Sequence, residues 1–383
     1  MKVSLKTAFF FCLLVIPSRA TFAQASSDDV LSQKADEAVT ALRLEMKIPG
    51  TSVAVVRDGK IIKAAGYGLA NVELNVPVTP ETIFQAGSTG KQFLATAILL
   101  LAEEGKLSLD DNITKYFPEA PEWWRPITIR HLLTHTSGLP DVWGESDSRG
   151  MYANALLDMR RDYTEDELLR AILKMRPISK PGEKWEYCNT GYQILGILIR
   201  RLTGKSHSDF MRERVFLPLG MGTARVISES DIVPNRSAGY MIVKGELKNQ
   251  EWIAPSLNTT ADGPYYMTVL DLAKWDASLY TDKILKPASR EQMWTAQAKL
   301  NSGETYPYGL GWFLADVNGH RLMYHTGGNQ GFFVNISRYA DDRLTIIVMN
   351  NLDEDHCDAL KISGAIASIY IPATKGKNPI KDW

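Results

Sequence analysis

The sequence has 383 residues, 45% of them hydrophobic and 23% charged, with 43 Lys+Arg against 44 Asp+Glu and a net charge of −1. That is ordinary globular composition, and it excludes disordered, collagenous and coiled-coil chains. The balanced charge gives no general attraction to nucleic acid or to an anionic membrane, and the length suits about two to three domains or one large two-lobed unit.

The first 25 residues differ in kind from the rest. Lys2 and Lys6 precede the apolar run 8–16 (AFFFCLLVI), Pro17 breaks it, and Ala23-Gln24-Ala25 fits a small-x-small cleavage pattern. The run is far too short to span a bilayer. We read a cleavable signal peptide over 1–25, cleaved after Ala25, and hence a secreted or periplasmic protein; the alternative is a short membrane anchor. Cys12 follows phenylalanine, where lipid attachment favours a small residue. Beyond it stand Cys188 and Cys357, which make no disulfide framework. No later stretch approaches 18 consecutive apolar residues, so no stable membrane insertion is expected after cleavage.

Apolar residues at near-helical spacing predict a helix over 33–47, ended by Pro49-Gly50. Residues 51–57 (TSVAVVR) and 60–68 (KIIKAAGYG) are β-rich. Asp58-Gly59 between them is a hairpin signal, because both turn positions need positive φ. An apolar helix follows over 88–104 and stops at Gly105. The middle, about 110–260, is helix-rich, with segments at 128–135, 164–175, 189–203 and 208–216. Thr268, with Asp271 three positions on, opens a helix over 268–280. Strands return at 311–317, 321–326, 332–339 and 344–350, with turns at Asn318-Gly319 and Asp341-Asp342, before a closing helix over 354–370. The pattern predicts an α/β (α+β) fold. An α/β lobe, about 33–109 and 261–370, is built from both termini, and an all-helical lobe, about 110–260, is inserted into it. Tight turns make the sheet mainly antiparallel.

Three motifs carry chemistry. Ser88-Thr89-Gly90-Lys91 opens the helix 88–104. Helix positions three apart share a face, so hydroxyl and ammonium are neighbours. The helix N-terminus favours developing negative charge, and an amine of lowered pKa can take a serine proton. Alone the motif is weak, and it also reads as a plain helix N-cap.

Tyr-x-Asn occurs twice. Tyr152-Ala153-Asn154 lies in a polar stretch and reads as coincidence. Tyr187-Cys188-Asn189 stands at the start of an apolar helix. A tyrosine beside a cation can shuttle a proton, and an asparagine can bind a substrate carbonyl or hold a lysine. The plainer reading is a buried tyrosine with a satisfied hydroxyl. The third run, His325-Thr326-Gly327-Gly328, ends the strand 321–326. Its glycines allow close approach, and the Gly328 N–H paired with that of Ser88 would make an oxyanion hole. The plainer reading is a strand-ending turn. His131 and His135 have helical spacing but lack the glutamate of a zinc protease and a third ligand, so they read as structural. No Gly-rich loop fits a phosphate or dinucleotide site.

In order and spacing these runs resemble the serine β-lactamase-like superfamily: class C β-lactamases, family VIII esterases, D-aminopeptidases and related penicillin-binding proteins. The resemblance spans about 35–370 and includes FQAGSTGKQF (84–93), ITIRHLLTHTSGLP (127–140), PGEKWEYCNTGYQILG (181–196), YGLGW (308–312) and HTGGNQGF (325–332). It implies a single catalytic domain over 26–383, with a sheet of about five strands and the site between the lobes. It implies Ser88 as acylated nucleophile, Lys91 as its basic partner and Tyr187 as proton shuttle. Asn189 would orient substrate and Lys91, and the N–H groups of Ser88 and Gly328 would form the oxyanion hole. His325, Thr326 and Gly327 would line the sheet side of the cleft. No metal and no organic cofactor are implied.

Many relatives carry lysine where this chain has His325. Histidine, with an ordinary pKa near 6.5, is mostly neutral at pH 7. That disfavours carboxylate-bearing substrates, and predicts that selectivity for them rises as pH falls through about 6.5 and in His325→Lys. The expectation is an exported serine hydrolase, esterase or D-peptidase-like, acting on small-molecule or peptide substrates. The alternatives are a β-lactamase or DD-carboxypeptidase, and a non-catalytic ligand-binding protein on the same fold. The sequence leaves the oligomeric state open.

Overall fold

The structure, a computed structural model, describes residues 27–144, 157–227, 230–263 and 265–376. The readings made for residues 1–25 and for Tyr152-Ala153-Asn154 lie outside the described residues.

The two ends of the chain do meet in one antiparallel sheet. Its strand order is Phe313–Val317, His320–Asn329, Phe332–Tyr339, Leu344–Asn350, Gly50–Arg57, Lys60–Asn71 and Val76–Pro77. The last long strand pairs with the first, Thr51 opposite Asn350 and Arg57 opposite Leu344. Both are buried almost throughout, as their near-continuous apolar sequences require. Asp58 (φ 54°) with Gly59 (φ 71°), and Asn318 (φ 56°) with Gly319 (φ 86°), take the positive dihedrals that a two-residue hairpin turn needs. The helices Ser27–Glu45 and Ala359–Tyr370 cover one face, where Ala35, Val39, Ile362 and Ile366 pack on Val53, Val55, Ile346 and Val348. The opposite face meets a larger core with Trp275 and Phe93. At its centre lies the helix Lys91–Glu103, buried from Lys91 to Leu101. A helix that is apolar all round belongs inside.

Four sequence readings need correction. Residues 110–260 are not all helical. Tyr240–Val243 and Glu246–Asn249 form a hairpin turned by Lys244 (φ 53°) and Gly245 (φ 82°). That segment belongs to the sheet lobe: the Tyr240 hydroxyl accepts from the Val72 N–H at 2.7 Å, and the Ala238 N–H donates to Ala70 at 2.9 Å. The sheet has seven strands rather than about five, the extra edge being the two-residue Val76–Pro77, where a missing N–H is harmless. The strand expected to stop at Thr326 runs on to Asn329. The closing helix starts at Ala359 rather than near 354, because Asp358 caps it by accepting from the Lys361 N–H at 2.8 Å. Among the described residues no helix is long and apolar enough to cross a membrane.

One buried ion pair ties the helix Val269–Ser278 to the sheet. Arg338 and Asp276 are 3% and 1% exposed, and the Thr345 hydroxyl also donates to Asp276, at 2.7 Å. Removing one partner strands the other charge in the core. Asp276→Ala is therefore expected to cost roughly 3–5 kcal/mol in urea unfolding. A loss under about 1 kcal/mol would mean that water reaches the abandoned guanidinium.

Candidate active site

Every residue from 82 to 101 is buried except Ser88, which is half-exposed. It sits in the tight turn Gly87–Gly90 just before the buried helix. The turn lies flat against the sheet. A Cβ on Gly87 (φ 53°) would fall 2.7 Å from the Gly328 carbonyl oxygen, and one on Gly327 would fall 2.1 Å from that of Ala86. Glycine at 87 and 327 lets the serine backbone reach the strand His320–Asn329.

Lys91 is fully buried, and its Nζ reaches three oxygens: Ser88 Oγ at 2.9 Å, Asn189 Oδ1 at 2.7 Å and the Asp262 carbonyl at 2.7 Å. Burial lowers its pKa to about 8, against the partly compensating charges of Asp262, Asp141 and Glu354. A neutral amine has two N–H groups. Asn189 Oδ1 and the Asp262 carbonyl can take both, which leaves the lone pair aimed at the Ser88 hydroxyl. The geometry therefore suits Lys91 as an acceptor of that proton.

Asn189 begins the helix Asn189–Thr203. Its amide is oriented by Asp141, whose Oδ2 accepts from the Asn189 N–H at 2.7 Å and from Nδ2 at 2.9 Å. With Nδ2 so engaged, Oδ1 must face Lys91. The Tyr187 ring lies 4.8 Å from Lys91 Nζ and 4.3 Å from the His135 ring. Among the described residues its buried hydroxyl makes no hydrogen bond of ordinary geometry, although Ser88 is near enough to offset part of the cost of burial. Burial holds its pKa well above the usual tyrosine range, so the resting group is the phenol. Cys188 between them is a buried space-filler: burial pushes its thiol up to about 12.

Sequence reading left His135 structural and gave His325 a substrate-facing role. The structure joins them in one hydrogen-bonded chain. The Cys188 N–H donates to His135 Nδ1 at 3.1 Å, His135 Nε2 meets the Tyr308 hydroxyl at 3.2 Å, and that hydroxyl meets His325 Nε2 at 3.1 Å. His325 Nδ1 then lies 2.5 Å from the Thr326 carbonyl. A backbone N–H can only donate and a carbonyl can only accept, so the protons are fixed. His135 carries its proton on Nε2, the Tyr308 hydroxyl donates to His325, and His325 carries its proton on Nδ1. His135 also sits at φ 59°, a left-handed conformation unusual for a side chain of this size.

His325 is 1% exposed, and burial with the nearby Lys91 charge lowers its pKa to about 3. It therefore presents no face to substrate and gains no proton near pH 6.5. The expected pH-dependent selectivity at His325 has no group to carry it. Gly327 is likewise buried beneath the Ser88 turn, and Thr326 gives its carbonyl to His325. Of that run, Gly328 lines the cleft, together with Gly87, Ser88, Trp143, Asn189 and Asp262. Pairing with Phe313–Val317 ends at Tyr324, so the strand edge beyond it is unpaired on that side. Counting from the Asn329–Phe332 pair that closes the turn, the Gly328 N–H falls on this free edge. That is the side an oxyanion-hole donor must occupy.

Asp141, Trp143, Asp262, His135 and Tyr308 were missed as site residues. His135 and Tyr308 sit in runs that carry the family resemblance, and no local spacing marks the others. His131 is no ligand: its Nδ1 accepts from the Thr128 N–H at 3.2 Å, closing a helix cap.

The family model described as Beta-lactamase matches residues 34–370. The chain belongs to the β-lactamase family. Its relatives include penicillin-binding protein 4* of Bacillus subtilis (strain 168), 30% identical over 318 residues, covering 79% of this chain and 68% of that protein. D-aminopeptidase of Gluconobacter oxydans (strain 621H) is 27% identical, over 88% of this chain and 61% of that protein's own length. Among solved structures, the octameric penicillin-binding protein homologue from Pyrococcus abyssi is 31% identical, with a TM-score of 0.78, covering 91% of this chain and 78% of that one. This β-lactamase-family chain is thus a serine hydrolase, and its mixed α/β fold is theirs.

Proposed function

We propose that the protein is an exported hydrolase of esters, amides or D-peptides that works through an acyl-enzyme on Ser88. The observation that carries this reading is the three-way seat of Lys91 Nζ between Ser88 Oγ, Asn189 Oδ1 and the Asp262 carbonyl. In the forward step neutral Lys91 takes the Ser88 proton and Oγ attacks the substrate carbonyl. The oxyanion is met by the N–H groups of Ser88 and Gly328. The Lys91 proton passes by way of the Tyr187 hydroxyl to the departing alkoxide or amine. Water then attacks the acyl group, gives its proton to the same pair, and Ser88 is restored.

The pH dependence follows from Lys91. Below about 8 it holds its proton and cannot act as base. kcat/KM for a neutral ester should therefore rise with pH through an apparent value near 8, falling about tenfold per unit below it. A flat profile from pH 6 to 9 would assign the base elsewhere.

The test of the substrate reading is a panel of p-nitrophenyl esters, D-amino-acid anilides, D-Ala-D-Ala peptides and nitrocefin. Esters or D-anilides should be turned over best. A clear preference for nitrocefin or D-Ala-D-Ala peptides would favour the β-lactamase or carboxypeptidase alternative. Binding without turnover or Ser88 labelling by a fluorophosphonate would favour a receptor. Export is supported by the signal-peptide pattern at 1–25. The mature protein should be recovered outside the cytoplasm with Ser26 as its first residue.

A further inference from the structure

His135 grips the segment that carries Tyr187 in two places. Its carbonyl accepts from the Glu186 N–H at 2.9 Å, and its Nδ1 accepts from the Cys188 N–H at 3.1 Å. Tyr187 lies between those two bonds. Its ring also packs on the imidazole, with centroids 4.3 Å apart and planes 31° apart. The left-handed backbone of His135 belongs to this arrangement. A residue without the freedom of glycine keeps such a backbone only where its surroundings over-determine it. Asn189 follows Cys188 directly, so one grip sets both the phenol and the amide beside Lys91.

His135 is held in turn from the sheet. Tyr308 is fully buried on the loop before the edge strand Phe313–Val317 and makes an isolated bridge to Phe313. Its hydroxyl accepts from His135 and donates to His325, which donates to the Thr326 carbonyl. Four bonds thus point one way, from the Cys188 N–H to the Thr326 carbonyl. The alternation that sends the Gly328 N–H to the free strand edge sends the Thr326 carbonyl there too, where no strand supplies a donor. The His325 ring supplies it. Each of the three side chains must accept one hydrogen bond and donate another, as neutral imidazole and phenol do. Burial lowers the pKa of both histidines, that of His325 to about 3, so neither is charged. Apolar side chains would fill the same space without the cost of burying polar groups, but they would give it no direction.

We propose that Tyr308 and His135 are positioning residues of the acyl-transfer site, tying Tyr187 to the strand of Gly328 through a one-way chain of hydrogen bonds that His325 completes. The proposal rests on the acyl-enzyme reading and adds to it residues that do not touch the substrate. It gives His325 a part that lysine cannot take. An ammonium only donates, so the Tyr308 proton would lose this acceptor.

The test is Tyr308→Phe, which cuts the chain and keeps the ring against His135 and Phe313. The readout is first-turnover release of p-nitrophenol from a p-nitrophenyl ester. Its maximal rate should fall about tenfold to a hundredfold, the scale on which a small misplacement of a reacting group is felt. The half-saturating concentration should stay within about threefold, because His135, Tyr308 and His325 are not among the residues that line the cleft. In the Tyr187→Phe background the same change should cost less than about threefold, since the hydroxyl it positions is already gone. A general loosening of the fold would lower both backgrounds alike. Should Tyr308→Phe fail to fold, His325→Gln and His325→Lys decide. The glutamine amide accepts and donates as imidazole does, and that variant should be about tenfold faster than the lysine one. A Tyr308→Phe rate within about twofold of the parent, an equal cost in both backgrounds, or glutamine no faster than lysine would overturn the proposal. Ser88 labelling by a fluorophosphonate in the unaltered protein, with no loss in Tyr308→Phe, counts against this inference alone; failure of Ser88 to label counts against the acyl-enzyme reading as well.

Discussion

Ser88→Ala is expected to lower turnover by about four orders of magnitude or more while the protein stays folded. The loss is large because the covalent route disappears and only binding and the oxyanion-hole donors remain. The fold should survive because Ser88 is the half-exposed residue in an otherwise buried run, and its backbone, not its side chain, packs against Gly327. Its hydroxyl accepts one hydrogen bond from Lys91, which keeps two other acceptors in the variant. The check is kcat/KM on a p-nitrophenyl ester beside the thermal melting curve. More than a few per cent of the activity remaining would mean that another group is the nucleophile.

Lys91→Ala and Tyr187→Phe should each lower kcat/KM by about three orders of magnitude, and the double variant by little more. Both groups stand around one Oγ and handle one proton, so removing either breaks the same step. The two differ in what they do to the fold. Phenylalanine at 187 keeps the ring against His135 and removes a hydroxyl that has no ordinary hydrogen bond among the described residues. Its stability should be close to that of the parent. Alanine at 91 leaves the Asn189 amide oxygen and the Asp262 carbonyl without their shared donor, and a melting temperature lowered by several degrees is expected. The double-variant cycle decides the matter. Fully multiplicative losses would place the two residues in separate steps. Tyr152→Phe, from the other Tyr-x-Asn run, is the control and should be near neutral.

What the sequence exposed, and what it hid, follow from how local each signal is. The hairpin turns at Asp58-Gly59 and Asn318-Gly319 were legible because positive φ at two successive positions is a property of the residues themselves. That both ends of the chain build one lobe was legible because strands flank a helix-rich middle, whereas the pairing of the first long strand with the last was not. Ser88 with Lys91 follows from helical spacing. The placing of Tyr187 and Asn189 beside them came from family resemblance, since about a hundred residues separate the pairs in sequence and no local rule spans that gap. The hairpin at 240–249 was lost inside a helix-rich stretch, because its attachment is made by long-range contacts such as Val72 with Tyr240. His325 was read by its ordinary pKa. The sequence does not show that Tyr308 and Thr326 occupy both its ring nitrogens, or that burial removes its charge. Asp141 and Asp262 carry no motif, and they matter through what they hold: the Asn189 amide, the Lys91 amine and the Trp143 indole.

The central claim is that an acyl group passes through Ser88, and the most direct measurement is to stop the reaction and weigh the protein. A p-nitrophenyl ester reaction quenched in acid during the first turnover should contain protein heavier by the mass of the acyl group. Peptide mapping should place that mass on Ser88. Release of p-nitrophenol should show an initial burst, and both signals should vanish in Ser88→Ala. Steady hydrolysis with no burst and no adduct, confirmed at a pH where deacylation is slow, or an adduct on any residue other than Ser88, would contradict the account.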